Sequence, residues 1–73
     1  RRNKREMRVR INGREEALPD SVTTLQELVR DRGLVPEYIV IEVNLQVIFR
    51  DDWPKVSLRD EDRIEIVSFV GGG

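Results

Sequence analysis

The stretch Met7-Arg-Val-Arg-Ile-Asn-Gly-Arg-Glu-Glu-Ala-Leu18 decides the fold. Met7, Val9 and Ile11 alternate with Arg8, Arg10 and Asn12, the period-two pattern of a strand with one buried face. Asn12-Gly13 follows directly, and both residues tolerate the positive φ of a two-residue hairpin turn. A second strand then runs through about Glu15 to Leu18, and Pro19-Asp20 ends it. A lone hairpin is marginal in water, so the residues that follow must cover its apolar face.

They do so with a helix. Thr23-x-x-Gln26 and Thr24-x-x-Glu27 both have the spacing of a capping box, with Leu25, Leu28 and Val29 on one stripe. Arg30 and Arg32 suit the negative end of the helix dipole, and Gly33 is a natural stop before Pro36. The helix is short, about 24–32, and needs a sheet to lie on. Tyr38-Ile-Val-Ile-Glu-Val43 is nearly continuous and β-branched, which predicts a strand buried on both faces or lying at the sheet centre. Asn44 turns the chain, and Leu45 to Phe49 form a short partner strand. Arg50-Asp-Asp-Trp-Pro54 resembles a single helical turn, with an Asp as N-cap and Pro among the first helical positions. Arg59-Asp-Glu-Asp62 is a polar turn. Ile64, Ile66, Val67, Phe69 and Val70 make the last strand, ahead of Gly71-Gly72-Gly73.

This order predicts an α+β fold: a mixed sheet of four to five strands with one main helix on one face. A right-handed crossover through the helix sets the last strand beside the first and parallel to it. That is the β-grasp, or ubiquitin-like, arrangement. Three segments are expected: a basic extension at 1–6, the β-grasp domain at 7–70, and a flexible glycine tail at 71–73.

Composition narrows the chemistry. In 73 residues there is room for one small core, and 38% of the side chains are hydrophobic. Charged residues make up 37%, above the average for globular chains, with a formal net charge of −1. Residues 1–6 hold four basic groups and one acidic group, so 7–73 carries a net charge of −4. A basic arm of this kind can bind nucleic acid or an anionic membrane, but six residues offer few contacts and the rest of the domain repels phosphate. An upstream extension is the preferred reading. Cysteine and histidine are both absent, which removes disulfides, thiolate nucleophiles, Cys/His zinc sites and an imidazole base. No apolar run is long enough for a membrane-spanning helix and no secretory leader follows the basic start. The expected location is the cytoplasm.

Acid–base work would fall on carboxylates. Asp51-Asp52 and Asp60-Glu61-Asp62 could ligate Mg²⁺ or Ca²⁺ through oxygen, but neither follows the spaced pattern of a calcium loop. They are assigned as solvent-facing turn residues, the first pair also capping a helical turn, and no metal or catalytic site is placed on the chain. Trp53 beside Pro54 is expected to plug the edge of the core. A nucleic-acid stacking platform would interleave aromatics with basic residues on one sheet face; here the strand neighbours are aliphatic or acidic.

The tail is different. Three glycines after the apolar Phe69-Val70 build a segment of high conformational freedom with no side chains. Such a segment can thread a passage that rejects any Cβ and deliver an α-carboxylate to another protein's active site. Coupling the carboxylate to AMP gives a mixed anhydride that a sulfur or nitrogen nucleophile attacks. The reacting atom is then the terminus, and no Cys or His on this chain is required. A frayed or appended end is the alternative, and the glycines alone do not separate the two.

The chain resembles the ThiS/MoaD group of ubiquitin-like sulfur carriers, over about residues 7–73. The features most like ThiS, the thiamin-biosynthesis type, are Met7-Arg-Val-Arg-Ile-Asn-Gly13, Thr24-Leu-Gln-Glu-Leu28, Val40-Ile-Glu-Val-Asn44, Arg50-Asp-Asp-Trp53 and, most specifically, Ile64-Glu-Ile-Val-Ser-Phe-Val-Gly-Gly-Gly73. MoaD-type carriers usually bring Pro and Ala before the terminal diglycine, where this chain has Phe69-Val70. Two departures stand out. The minimal family tail is Gly-Gly, and the turn before the last strand often holds Gly where this chain has Asp60-Glu-Asp62.

The resemblance implies a protein co-substrate and not an enzyme. A ThiF-type, E1-like partner would adenylate the Gly73 carboxylate with ATP and Mg²⁺, both supplied at the partner. Sulfur from a cysteine desulfurase would replace AMP to leave a thiocarboxylate, and a ThiG-type thiazole synthase would take that sulfur for the thiazole ring. Gly71 and Gly72 would lead Gly73 into the partner's active site. Phe69 and Val70 are the expected docking anchors on the apolar sheet surface, with carboxylates at the rim; alternation leaves Phe69 open between core and interface. The alternatives are a MoaD-type or tRNA-thiolation carrier, and a modifier conjugated to lysines.

Overall fold

A computed structural model describes residues 6–69. The basic extension before Glu6, Val70 and the three terminal glycines lie outside the described residues. The elements are β1 (Met7–Ile11), β2 (Arg14–Leu18), α1 (Leu25–Asp31), β3 (Ile39–Val43), β4 (Gln46–Ile48) and β5 (Arg63–Ser68), with 3₁₀ turns at Pro36–Tyr38 and Arg50–Lys55. The five strands form one sheet in the order β2-β1-β5-β3-β4. β1 and β5 run parallel, with Arg10 opposite Arg63 and Ile11 opposite Ile64; every other pairing is antiparallel. This is the expected β-grasp topology, with the last strand beside the first.

Local chemistry explains each junction. Asn12 and Gly13 take φ of 50° and 84°, the left-handed pair that the β1–β2 turn requires. Of the two capping boxes in the sequence, Thr24 and Glu27 form the real one: Thr24 Oγ1 accepts the Glu27 N–H at 3.2 Å, and Glu27 Oε1 accepts the Thr24 N–H at 3.1 Å. The same Oε1 also accepts the Thr23 N–H and hydroxyl, each at 2.8 Å. These bonds hold the Glu27 carboxyl below its usual range, the Thr23 amide contributing most. At the other end Gly33 turns left-handed at φ 65°. Its N–H reaches the Arg30 carbonyl and the Leu34 N–H reaches the Val29 carbonyl, both at 3.1 Å, which is the Schellman arrangement.

Leu25, Leu28 and Val29 on α1 bury against Val9, Ile11, Ile41, Val43 and Ile64 of the sheet. Burying a side chain of this size contributes about 1.5–3 kcal/mol, so the helix is held by this stripe more than by its seven residues of backbone. Trp53, 2% exposed, fills one end of the core, and its Nε1–H donates to the Ile48 carbonyl at 3.0 Å.

Three expectations need correction. β3 has only one buried face: Ile39, Ile41 and Val43 point inward while Val40 is exposed and Glu42 half-buried. The middle strand of the five is β5, and β3 shows one exposed face because α1 covers only one side of the sheet. The Arg50–Lys55 turn has Phe49 as N-cap with no side-chain bond; Asp51 and Asp52 fall inside its first turn, and Pro54 is its fifth residue. Asp62 is buried, not solvent-facing. It accepts the Arg59 N–H at 2.8 Å and the Asn44 side-chain amide at 2.9 Å, tying the turn before β5 to the turn after β3.

Candidate functional site: the open sheet face at the end of the last strand

β5 is the strand that leads to the glycines, and its alternation sorts its side chains. Ile64 and Ile66 face the core, while Glu65 and Val67 point to the open face, followed by Phe69. The strand is gripped on both sides. On the β3 side the ladder runs from Val43–Ile64 to Ile39–Ser68, and the Phe69 N–H then donates to the Tyr38 carbonyl at 3.0 Å. On the β1 side the backbone bonds Arg10 N–H to Asp62 and Asn12 N–H to Ile64, at 2.8 and 2.9 Å, exhaust the strand. The Asn12 side chain takes over from there, accepting the Ile66 N–H at 2.8 Å and donating to the Ile66 carbonyl at 3.2 Å. Sequence reasoning assigned Asn12 to the turn alone. Its second role depends on a strand 54 residues away and has no local signal.

Around this exit the open face is apolar. Val40 lies directly opposite Val67, and Val47 on β4 lies opposite Glu42, so all of these share the face. Tyr38 and Phe69 continue the two strands toward the exit, at 47% and 59% exposure, and Phe49 is 72% exposed. Monomeric proteins rarely leave a contiguous group of this kind uncovered unless it meets something. Phe69 is therefore on the surface and not in the core. Val70, Gly71, Gly72 and Gly73, the remaining expected site residues, lie outside the described residues.

The carboxylates are not gathered into a site. Asp60 Oδ1 accepts the Arg8 N–H at 2.8 Å, Asp62 is held as above, and Asp52 meets Lys55 at 3.8 Å. Among the described residues no group of three or more acidic side chains is placed to hold a metal ion, and no helix is long and apolar enough to cross a membrane.

The comparisons with known proteins agree with this geometry. The ThiS family model matches residues 5–73. The chain is 34% identical over 65 residues to the sulfur carrier protein ThiS of Bacillus subtilis, covering 89% of this chain and 98% of that protein. It is 37% identical over 67 residues to a thiazole synthase of Magnetococcus marinus, covering 92% of this chain but only 20% of that protein; the chain thus spans about a fifth of the length of that relative. The crystal structure of the thiamine biosynthesis protein ThiS of Geobacter metallireducens superposes with a TM-score of 0.73 at 27% identity, covering 92% of this chain and 100% of that one. A β-grasp sheet with its last strand held at the edge of an apolar face, and a family match that runs through the three glycines, have one reading: the chain belongs to the ThiS family.

Proposed function

We propose that this chain is a sulfur carrier for thiamin thiazole formation, with the Gly73 carboxylate as its reacting group. The carrying observation is the family match, which extends to Gly73. A carboxylate resists nucleophiles because of its charge and its poor leaving group. An E1-like, ThiF-type enzyme with ATP and Mg²⁺ would therefore join the Gly73 carboxylate to AMP and release pyrophosphate. Sulfur drawn from a cysteine desulfurase would displace AMP, leaving a terminal thiocarboxylate. A ThiG-type thiazole synthase would accept that sulfur. The chain itself performs no catalysis: it supplies the terminus, Gly71 and Gly72 pass through the partner's entrance, and Phe69, Val70 and the open face dock. The similarity to a stretch of a thiazole synthase supports that partner, since a relative carrying both parts in one polypeptide brings them together at high effective concentration.

Incubation with the adenylating enzyme, ATP and a sulfide source, followed by intact-mass measurement, should show one terminal oxygen replaced by sulfur. Deleting Gly72 and Gly73 should abolish the exchange and leave the fold intact. No exchange in a system that loads another ThiS protein would sink the proposal.

A further inference from the structure

The open face carries an arrangement that its own stability does not explain. Along β5 the outward residues run Arg63, Glu65, Val67 and then Phe69, toward the tail. Each of the three strand residues sits opposite its own kind: Arg63 faces Arg10 on β1, Glu65 faces Glu42 on β3, and Val67 faces Val40. Like charges directly opposite in a sheet are destabilising. Among the described residues none of Arg10, Arg63, Glu42 and Glu65 makes an ion pair. Glu15 lies opposite Arg10 in the β1–β2 ladder but pairs with Arg8, at 3.5 Å. The pairs along β5 thus form three bands, each about 7 Å from the next along the strand: apolar beside the tail, then acidic, with Val47 flanking Glu42, then basic, with Glu15 flanking Arg10. Next to the basic band is an open depression of about 350 Å³, lined by Arg8, Arg10, Arg63, Glu15, Asp60 and Glu61, where the Arg10 guanidinium donates to the Gly13 carbonyl at 3.3 Å.

Resting on the sulfur-carrier reading, we propose that this face docks on the thiazole-synthase surface that receives the tail, and that the three bands set its register. The matching surface presents an apolar patch beside the tail entrance, basic side chains beyond it to meet Glu42 and Glu65, and carboxylates farther out to meet Arg10 and Arg63. Only one orientation satisfies all three bands while pointing the glycines at the entrance. Turning the face end for end sets charge against apolar surface, a costly mismatch. The like-charged pairs are relieved on docking, so their strain in the free domain becomes a contribution to binding.

The test measures affinity for the thiazole synthase at low and high salt, with the Tm of each free variant. Wild-type binding and sulfur transfer test the carrier reading, and their absence would overturn that reading. Given a functional wild type, Glu42→Lys and Arg63→Glu should each raise Kd about tenfold or more, with the effect shrinking as salt rises. Glu42→Lys should also raise the Tm of the free domain by about 2–5 °C, because it turns a like-charged pair into an opposite one. Unchanged affinity would overturn the docking proposal. So would affinity lost in step with Tm, which would mark the pairs as structural, or a loss confined to the adenylating enzyme, which would place that protein on the face instead.

Discussion

The side-chain amide of Asn12 bonds the backbone of Ile66 as a neighbouring strand would, accepting its N–H at 2.8 Å and donating to its carbonyl at 3.2 Å. A turn residue at φ 50° thereby extends the β1–β5 ladder by one step toward the tail. Asn12→Gly keeps the left-handed backbone and removes only the amide, so its cost isolates this contact. A loss of about 1–2 kcal/mol is expected by denaturant unfolding, with faster hydrogen exchange at the Ile66 amide. An Ile66 amide as protected as before would show that the ladder does not need the side chain.

Leu45 is at φ 72° and 79% exposed, beside Asn44 at φ 52°. This is the two-residue turn between β3 and β4, where a β-carbon is unwelcome and no core contact is lost by removing it. Leu45→Gly creates an Asn-Gly turn and should stabilise the domain by about 0.5–1 kcal/mol, a Tm rise of about 4 °C. A fall in Tm would mean that Leu45 contributes more by covering its neighbours than its backbone costs.

The helix entry hangs on Thr24 and Glu27. Thr24→Ala should cost about 1 kcal/mol. The Glu27 carboxyl titrates below its ordinary 4.5 in the folded domain because it accepts bonds from Thr23 and Thr24. The unfolded chain therefore binds that proton more readily. The stability from this group is present above pH 4.5 and fades as the pH falls through the lowered folded value. In Glu27→Gln the acid side of the stability profile should flatten, and a profile parallel to wild type would contradict this.

Asp62 joins two turns by accepting from the Arg59 N–H and the Asn44 amide. Asp62→Ala leaves both donors without their partner in a half-buried setting, and a loss of about 1–2 kcal/mol follows. The loss should overlap with that of Asn44→Ala in a double-mutant cycle, since the two residues share one network.

Phe69→Asp tests the docking surface separately from the fold. The side chain is 59% exposed and outside the core, so Tm should stay within about 2 °C of wild type. KM for this chain in the adenylation or sulfur-transfer reaction should rise about tenfold or more, with kcat less affected. A normal KM would remove Phe69 from the interface.

Most of the fold was legible because its signals are local. Alternation at Met7–Ile11, the Asn12-Gly13 turn, the Thr24/Glu27 box and Gly33 each act within a few residues, and hydrogen bonds of the described backbone follow them closely. β3 differs from its sequence reading because the run Tyr38-Ile-Val-Ile41 looks alike whether one face is covered or two. The Arg50–Lys55 turn differs at its cap, where Phe49 and not an aspartate leads in. The glycines proposed to react lie outside the described residues and rest on the sequence alone, while the open apolar face, which draws on β3, β4 and β5, has no local signal in it.

The sequence by itself determined the element order, the parallel meeting of first and last strands, and the absence of any thiol or imidazole side chain. These follow from periodicity, turn chemistry and composition, which need no partner in space. Only the tertiary structure decided that Phe69 faces outward, that Asn12 holds Ile66, and that Arg10–Arg63 and Glu42–Glu65 stand as like-charged pairs. Those relations are set by the β-sheet register, and register joins residues that lie between 23 and 54 positions apart, beyond the reach of any local pattern.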